Sequence, residues 1–400
     1  MTFRVAHFSD THLGYESYPA LAANGNNQRG QDVVRAFMNT VADVKAWDPD
    51  LVIHSGDVLD RPRTDIRFMY LAQRQFRELT TRPDGSLRPV VVLAGNHEQS
   101  RNRKEVCWVE LLSHIDGVFP VSNAYTRLTF PAGKFAPQLD NLVVHAIPHD
   151  SLKSLVSSEV TPTPGSVNIL TAHGVASGSE LFFRALGREY PIPTEVLDRD
   201  WDYVALGHWH KQGPVTLGPG GPRRNIWYAG STENFGFRDI RDNGEKRGYL
   251  RVTVQPGELP DVTPVNLPIR SMFRLPAVDA EGKTAAEIVD EMKARVADAD
   301  IAGAVVGQVV INVPRDLWSL VDVAAVREVA SKAMHFEVTA RYVGAADAKE
   351  GSAVGVTDFG QLESALAKKL ETIPEVFRAP VGEKVRTHVT EQRAKFEEQS

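Results

Sequence analysis

Residues 202–213 read DYVALGHWHKQG, a short apolar run that stops at Gly207 and then presents His208 and His210 with one residue between them. In an extended chain, side chains two apart point to the same side, so both imidazoles address one spot. A packed core has no use for such a pair, whereas a bound ion does.

The same pattern recurs through the first two-thirds of the chain. FRVAHFSDTH (3–12) ends in Asp10 and His12, and DLVIHSGDVLD (50–60) delivers Asp57. PVVVLAGNHE (89–98) ends in Asn96 and His97, and SVNILTAHG (166–174) in His173. Each is a β-rich run that stops at Gly, Asp, Asn or His, and helix-like segments such as GQDVVRAFMNTVADVKAW (30–47) lie between the early ones. Strands alternating with helices predict an α/β sheet. Ligands of such sheets bind beyond the carboxyl ends of the strands, where all these polar clusters would lie.

Other histidines read as structural. His7 and His54 fall inside strands and are expected in the core or between sheets, and NLVVHAIPHD (141–150) is a further strand in which His145 and His149 serve structure. RRNIWYAGSTENFGF (223–237) and KRGYLRVTV (246–254) are expected to form a strand pair that closes a second sheet.

With 400 residues, 42% hydrophobic and 24% charged, the chain has material for two or three domains with real cores. The single cysteine, Cys107, excludes a disulfide framework and a thiolate zinc site and suits a reducing compartment; KEVCWVELL (104–112) reads as the apolar face of a helix. No leader and no membrane-length apolar run is seen, so a cytoplasmic protein without membrane contact is expected. The net charge of −6 gives no global attraction for nucleic acid, so any such binding needs local basic patches.

Composition shifts near residue 269. SMFRLPAV, TAAEIVDEMKARVADA, AVVGQVVINV, VDVAAVREVASKA and HFEVTARYV alternate strand and helix character within a small α+β unit that carries no cluster of metal-ligand types. GAADAKEGSAVGVT (344–357) reads as a linker. Beyond it Phe359, Leu362, Leu366, Leu370 and Ile373 make one apolar helix face, and EKVRTHVTEQRAKFEEQS (383–400) a second helix. The expected division is 1–268, 269–345 and 346–400. The terminal helices either fold back or dock on a partner.

Asp10, His12, Asp57, Asn96, His173, His208 and His210 are the candidate ligands. One cation cannot engage seven ligands, and two divalent ions against two carboxylates leave charge for a hydroxide and a phosphate ester. Mixed O and N donors without thiolate suit manganese, iron or zinc better than calcium or magnesium. Asp10, His12 and His210 would hold one ion, Asn96, His173 and His208 the other, with Asp57 bridging. Such a pair clamps an in-line displacement at phosphorus and supplies hydroxide near neutral pH. His97, beside the ions, is placed to hydrogen-bond the scissile phosphate or to protonate the departing oxygen.

Taken in order, SDTHLG, GDVLD, GNHE, AHG and GHWH resemble the five motifs of the calcineurin-like metallophosphoesterase superfamily, over about the first 240 residues. The resemblance implies a two-sheet β-sandwich flanked by helices, makes His97 the catalytic histidine and matches the ligand assignment above. Within that superfamily YAGSTENFGFRD (228–239), KRGYLRV and NLPIRSMFRL (266–275) resemble the SbcD-type DNA repair nuclease subunits, with a small capping domain and terminal helices for a coiled-coil ABC-type ATPase, SbcC. That implies manganese dependence, 3′–5′ exonuclease action on duplex ends and single-strand endonuclease action. Asp60 stands where archaeal and eukaryotic relatives carry histidine, which favours the bacterial branch, and Glu98 replaces a more usual Asp.

Basic side chains cluster after the ligand loops: Arg61, Arg63 and Arg67, then Arg101, Arg103 and Lys104; Arg223 and Arg224 follow later. The first five other than Arg67 are taken as DNA-backbone contacts. The expectation is a two-metal DNA phosphodiesterase. Its rivals are a phosphatase or small-molecule phosphodiesterase on the same fold, and a non-catalytic scaffold for an ATPase. Homodimerisation is left open.

Overall fold

The structure is a computed structural model that describes residues 1–99, 106–179, 182, 190–217, 221–237, 239–240 and 246–343. The expected terminal helices, and with them Arg101, Arg103 and Lys104, lie outside the described residues. Strands in chain order are β1 Phe3–Phe8, β2 Leu51–His54, β3 Val90–Leu93, β4 Val118–Val121, β5 Thr126–Thr129, β6 Leu142–Ile147, β7 Val167–His173 and β8 Tyr203–Gly207. They continue as β9 Gly213–Thr216, β10 Pro222–Tyr228, β11 Gly248–Val254, β12 Asp261–Asn266, β13 Met272–Arg274, β14 Val278–Asp279, β15 Val305–Val313 and β16 His335–Tyr342.

Two mixed six-stranded sheets form the main body, ordered β12-β11-β1-β2-β3-β4 and β5-β6-β7-β8-β10-β9. β1, β2, β3 and β4 run parallel, as do β6, β7, β8 and β10, so the loops after β1, β2 and β3 leave one edge of their sheet together. Period-2 alternation decides what each sheet buries. Phe3 and Val5 face the second sheet, meeting Val144, Ile169, Tyr203 and Ala205, whereas Ala6 and Phe8 face the helices. The parallel strands are buried on both faces, which is why they read as continuous apolar runs.

Helix α1, Gln28–Trp47, starts at Asn27, whose side chain accepts from the Gly30 N–H, and helix α2, Ile66–Thr80, starts at Asp65 in the same manner, accepting from Arg67 N–H. Val33, Phe37, Val41 and Val44 of α1 and Ala72, Phe76 and Leu79 of α2 cover the first sheet at helical spacing. No helix among the described residues is long and apolar enough to cross a membrane.

Two expectations are corrected. β10 and β11 do not pair with each other: β10 lies beside β8 and β9, whereas β11 runs antiparallel to β1 and β12 in the other sheet. Leu250, Val252 and Val254 complete the inter-sheet core, and that burial, a tertiary matter, decides where β11 goes. Cys107 sits not on an α-helix but just before a 3₁₀ segment, Trp108–His114. It is half-buried, and burial pushes its thiol up to about 12.

A third, parallel sheet follows: β13 and β14 pair with successive parts of β15, and β16 with β15. Helix Ala285–Ala297, opened by a Thr284–Glu287 capping box, packs Ile288, Met292 and Val296 on Val306 and Val310. This unit meets the main body through Met272 and Val305, which bury Phe237 and Ile240.

Candidate metal centre

Each candidate ligand sits at or just past a strand end, and the loops are laced together by backbone. Asp10 N–H donates to Gly56 O at 2.9 Å, and Thr11 and His12 N–H both donate to Asp57 O, at 2.9 and 3.1 Å. Four of the seven candidates, Asp10, His12, Asp57 and His208, have φ between 43° and 100°. That conformation costs about 1–3 kcal/mol for a non-glycine residue and persists only where the surroundings enforce it. The glycines of the motifs serve close approach. A Cβ at Gly95 would stand 2.1 Å from Asp57 Oδ1, and one at Gly207 would stand 2.2 Å from Ser55 O.

Two groups of donors result. In the first, His12 Nε2 faces His210 Nε2 at 3.2 Å, with Asp10 Oδ1 at 4.0 Å from the latter. In the second, Asn96 Oδ1 stands 3.0 Å from both His173 Nε2 and His208 Nδ1. Asp57 Oδ2 lies between the groups, 3.2 Å from His173 Nε2 and 3.8 Å from His12 Nε2. The seven residues singled out from sequence lie close together, and the same region holds a further grouping of donors, His12, Asp60 and His97, that shares His12.

The donor chemistry fits divalent cations. His173 Nδ1 donates to Ser55 O at 2.7 Å and His210 Nδ1 to Asp239 Oδ2 at 3.0 Å, which leaves each Nε2 lone pair directed into the site. Burial pulls the pKa of His173 down, but the Asp57 charge and hydrogen bond, Asp10 and the Ser55 carbonyl outweigh it and raise it to about 10. His210 is raised in the same way, against burial, chiefly by Asp239. Burial raises the pKa of Asp57, yet the surrounding histidines hold it well below the usual carboxylate range. The pocket therefore favours positive charge, which an ion would supply.

His97 is held differently. Its N–H donates to Asp57 Oδ1 at 2.9 Å, and its Nδ1 donates to Asp60 O at 2.7 Å, leaving Nε2 as the reactive nitrogen. Its ring stands edge-on to His12 with centroids 4.5 Å apart. The Asp60 carboxylate lies 3.6 Å from His12 Nδ1 and 3.2 Å from Arg61 Nε.

Arg61 and Arg63 are exposed on the loop that follows Asp57. Arg67 is engaged by Asp65, with its Nε and Nη2 at 3.1 and 3.0 Å from that carboxylate. Arg223 pairs with Asp198 at 2.6 Å. His7 and His54 are buried; the His149 ring stacks on His208 with centroids 6.1 Å apart and stands edge-on to His173 at 6.0 Å, and its Nδ1 lies 3.3 Å from His173 O.

Sequence reasoning missed two residues of consequence. Glu98, noted only as a departure, is buried and accepts from Asp57 N–H at 3.1 Å, Gly95 N–H at 2.8 Å and Leu59 N–H at 2.7 Å. It clamps the β2 and β3 loops to one another. Burial, then the Asp57 charge, raises its pKa to about 7 against the Leu59 and Gly95 donors and the nearby His173. Asp239 closes the YAGSTENFGFRD stretch, but nothing in that stretch marks it as the partner of His210, 29 residues earlier.

A family model described as calcineurin-like phosphoesterase matches residues 3–212. The chain is similar to the DNA double-strand break repair protein Mre11 of Haloferax volcanii, 27% identical over 309 residues, covering 76% of this chain and 60% of that one. The Mre11 of Methanopyrus kandleri is 25% identical over 279 residues, covering 64% of this chain and 55% of that one. The chain therefore spans somewhat more than half the length of these curated relatives. Among solved structures, a purple acid phosphatase of yellow lupin (Lupinus luteus) overlaps with a TM-score of 0.36 at 14% identity, covering 63% of this chain and 49% of that one.

Proposed function

Since this chain belongs to the calcineurin-like phosphoesterase family, we propose that it is a two-metal phosphodiesterase that cleaves DNA, an SbcD-like nuclease. The observation that carries the reading is the position of Asp57 Oδ2, which faces both donor groups at 3.2 and 3.8 Å. Asp10, His12 and His210 would hold one cation and Asn96, His173 and His208 the other, with Asp57 shared. When bound, two such ions supply Lewis-acid stabilisation of phosphoryl charge and a nucleophile at neutral pH. The donor set suits manganese, iron or zinc, and the resemblance to SbcD-type nucleases favours manganese among them.

The protein's own groups do the rest. His97, anchored through Nδ1 to the Asp60 carbonyl, points Nε2 outward as the proton donor to the departing oxygen. Arg61 and Arg63, exposed beside the centre, attract the phosphate backbone of the substrate. Similarity to Mre11 proteins, which are described as DNA double-strand break repair proteins, supports DNA over small phosphate esters. Residues 269–345 would act as a capping domain. Residues 346–400 would dock onto an SbcC-type ATPase, and the pair would work in the cytoplasm. Action at 3′ ends of duplexes and within single strands belongs to the same proposal.

Purified protein incubated with manganese and either linear duplex DNA or a chromogenic phosphate ester separates the readings. DNA degradation abolished by His97→Gln supports the nuclease. Turnover of the small ester with intact DNA overturns it in favour of a phosphatase or small-molecule diesterase, and full function in His97→Gln favours a scaffold.

A further inference from the structure

Residues 231–237 together with Asp239 and Ile240 touch two parts of the molecule at once. Towards the metal centre, Phe235 sets its ring edge-on to His12 and His210, with centroids 4.7 and 5.2 Å away. Asp239 Oδ2 accepts from both His210 Nδ1 at 3.0 Å and Phe235 N–H at 3.2 Å. Arg247, buried at the start of β11, ties these together. Its Nε donates to Asn234 Oδ1 at 2.7 Å, its Nη2 to Asp239 O at 2.8 Å, and its Nη1 to the His210 carbonyl.

Towards the third sheet, Phe237 and Ile240 are buried with Met272 and Val305. Gly307 backs the Phe237 ring so closely that a Cβ there would stand 3.0 Å away, and the Arg274 guanidinium lies 5.3 Å over the ring. Glu233, in the same loop, faces Arg29 at 3.5 Å. Arg29 also pairs with Asp32 at 3.0 Å, and Asp32 takes Arg270 of the third-sheet side through Nη2 at 2.8 Å. The second donor group has other supports: Ser55 O holds His173, and Asn96 bridges His173 and His208, all on β2, β3, β7 and β8 or the residues that end them.

We infer that Phe237 and Asp239 are positioning residues for one metal position only, the one formed by Asp10, His12 and His210. Phe237 seated in the third-sheet unit fixes the loop, the loop aims Asp239 at His210 Nδ1, and that bond directs Nε2 towards Asp10 and His12. The inference deepens the two-cation reading above and rests on it. An asymmetry follows: disturbing the contact with the third sheet loosens one ion and leaves its neighbour in place.

The test is a manganese-binding isotherm on the full metal-free chain, with free ion followed by electron paramagnetic resonance. The wild type is expected to take up two ions. Asp239→Asn, which keeps size and fold, is expected to weaken one of them by about 10–100-fold and leave the other unchanged. Phe237→Ala is expected to give the same selective loss, and Phe237→Leu, which keeps an apolar anchor, to restore most of it. Unchanged binding of both ions in Asp239→Asn, or equal weakening of both, overturns the positioning role while the two-cation reading stands. A wild-type chain that binds fewer than two ions overturns that reading and the inference together.

Discussion

The two halves of the candidate centre are supported by different kinds of structure. Asn96, His173 and His208 hang from strand ends whose neighbours are backbone: His173 closes β7 and donates to Ser55 O, and Gly207 lets β8 press against the same residue. His210, by contrast, is oriented by a carboxylate and an arginine from a loop and a strand that come 29 and 37 residues later. A strand end moves only if the sheet moves, whereas a loop is free to respond to whatever it packs on. Asp57 alone belongs to both halves.

Asp57 should therefore give the largest effect. Asp57→Asn keeps the shape but removes the shared charge, so both ions should be lost. If each supplies about 3 kcal/mol of charge stabilisation, DNA cleavage falls on the order of 10⁴-fold. Cleavage assays together with the bound manganese count check this, and retention of either ion at wild-type affinity would break the claim that the halves meet there. His97→Gln should cost less, roughly 10²–10³-fold, through loss of proton transfer. Because His97 belongs to neither donor set, both ions should stay bound. A metal count that drops would make His97 a ligand instead.

Glu98 sharpens the comparison from the rigid side. Glu98→Gln replaces one acceptor oxygen with an amide that cannot accept from a backbone N–H, so at least one of the Asp57, Gly95 and Leu59 donors loses its partner. About 1–3 kcal/mol of stability should go with it. Urea denaturation reads the effect, and an unchanged midpoint would show that the β2 and β3 loops hold without the clamp.

Glu98 also marks the boundary of what the chain discloses. The ligands are legible because each follows its own apolar run by a few residues, so local pattern places them at strand ends and topology does the rest. Asp239, Glu98 and Arg247 carry no such label. They act through contacts that exist only once distant segments meet, and a polar residue in a polar loop looks like any other. The assignment of β10 and β11 to different sheets is hidden for the same reason: Leu250 and Val252 alternate as they would in either sheet, and only the space left beside β1 selects one.

The histidines extend the contrast to pH. His173 and His210 are raised by carboxylates, but His7 and His145 have none beside them and are buried neutral; burial lowers them to about 3 and about 4. His145 is satisfied in that state, with Nδ1 accepting from Tyr125 OH at 2.8 Å and Nε2 donating to Asn168 Oδ1 at 3.2 Å. Unfolding frees both rings to bind protons near the ordinary value of about 6.5. Between that pH and the folded values the unfolded chain holds more protons, so stability is complete above about 6.5 and falls as the solution is acidified. Each histidine contributes at most about 1.4 kcal/mol per pH unit in the window. Urea midpoints of wild type and His145→Gln, measured from pH 7.5 to 5, should diverge below 6.5, with the variant losing less per pH unit. Parallel slopes would mean that His145 protonates in place, and that the outer face of the second sheet, where its ring meets Trp201, yields to a charge as readily as the loop-held half of the centre is expected to yield to its neighbour.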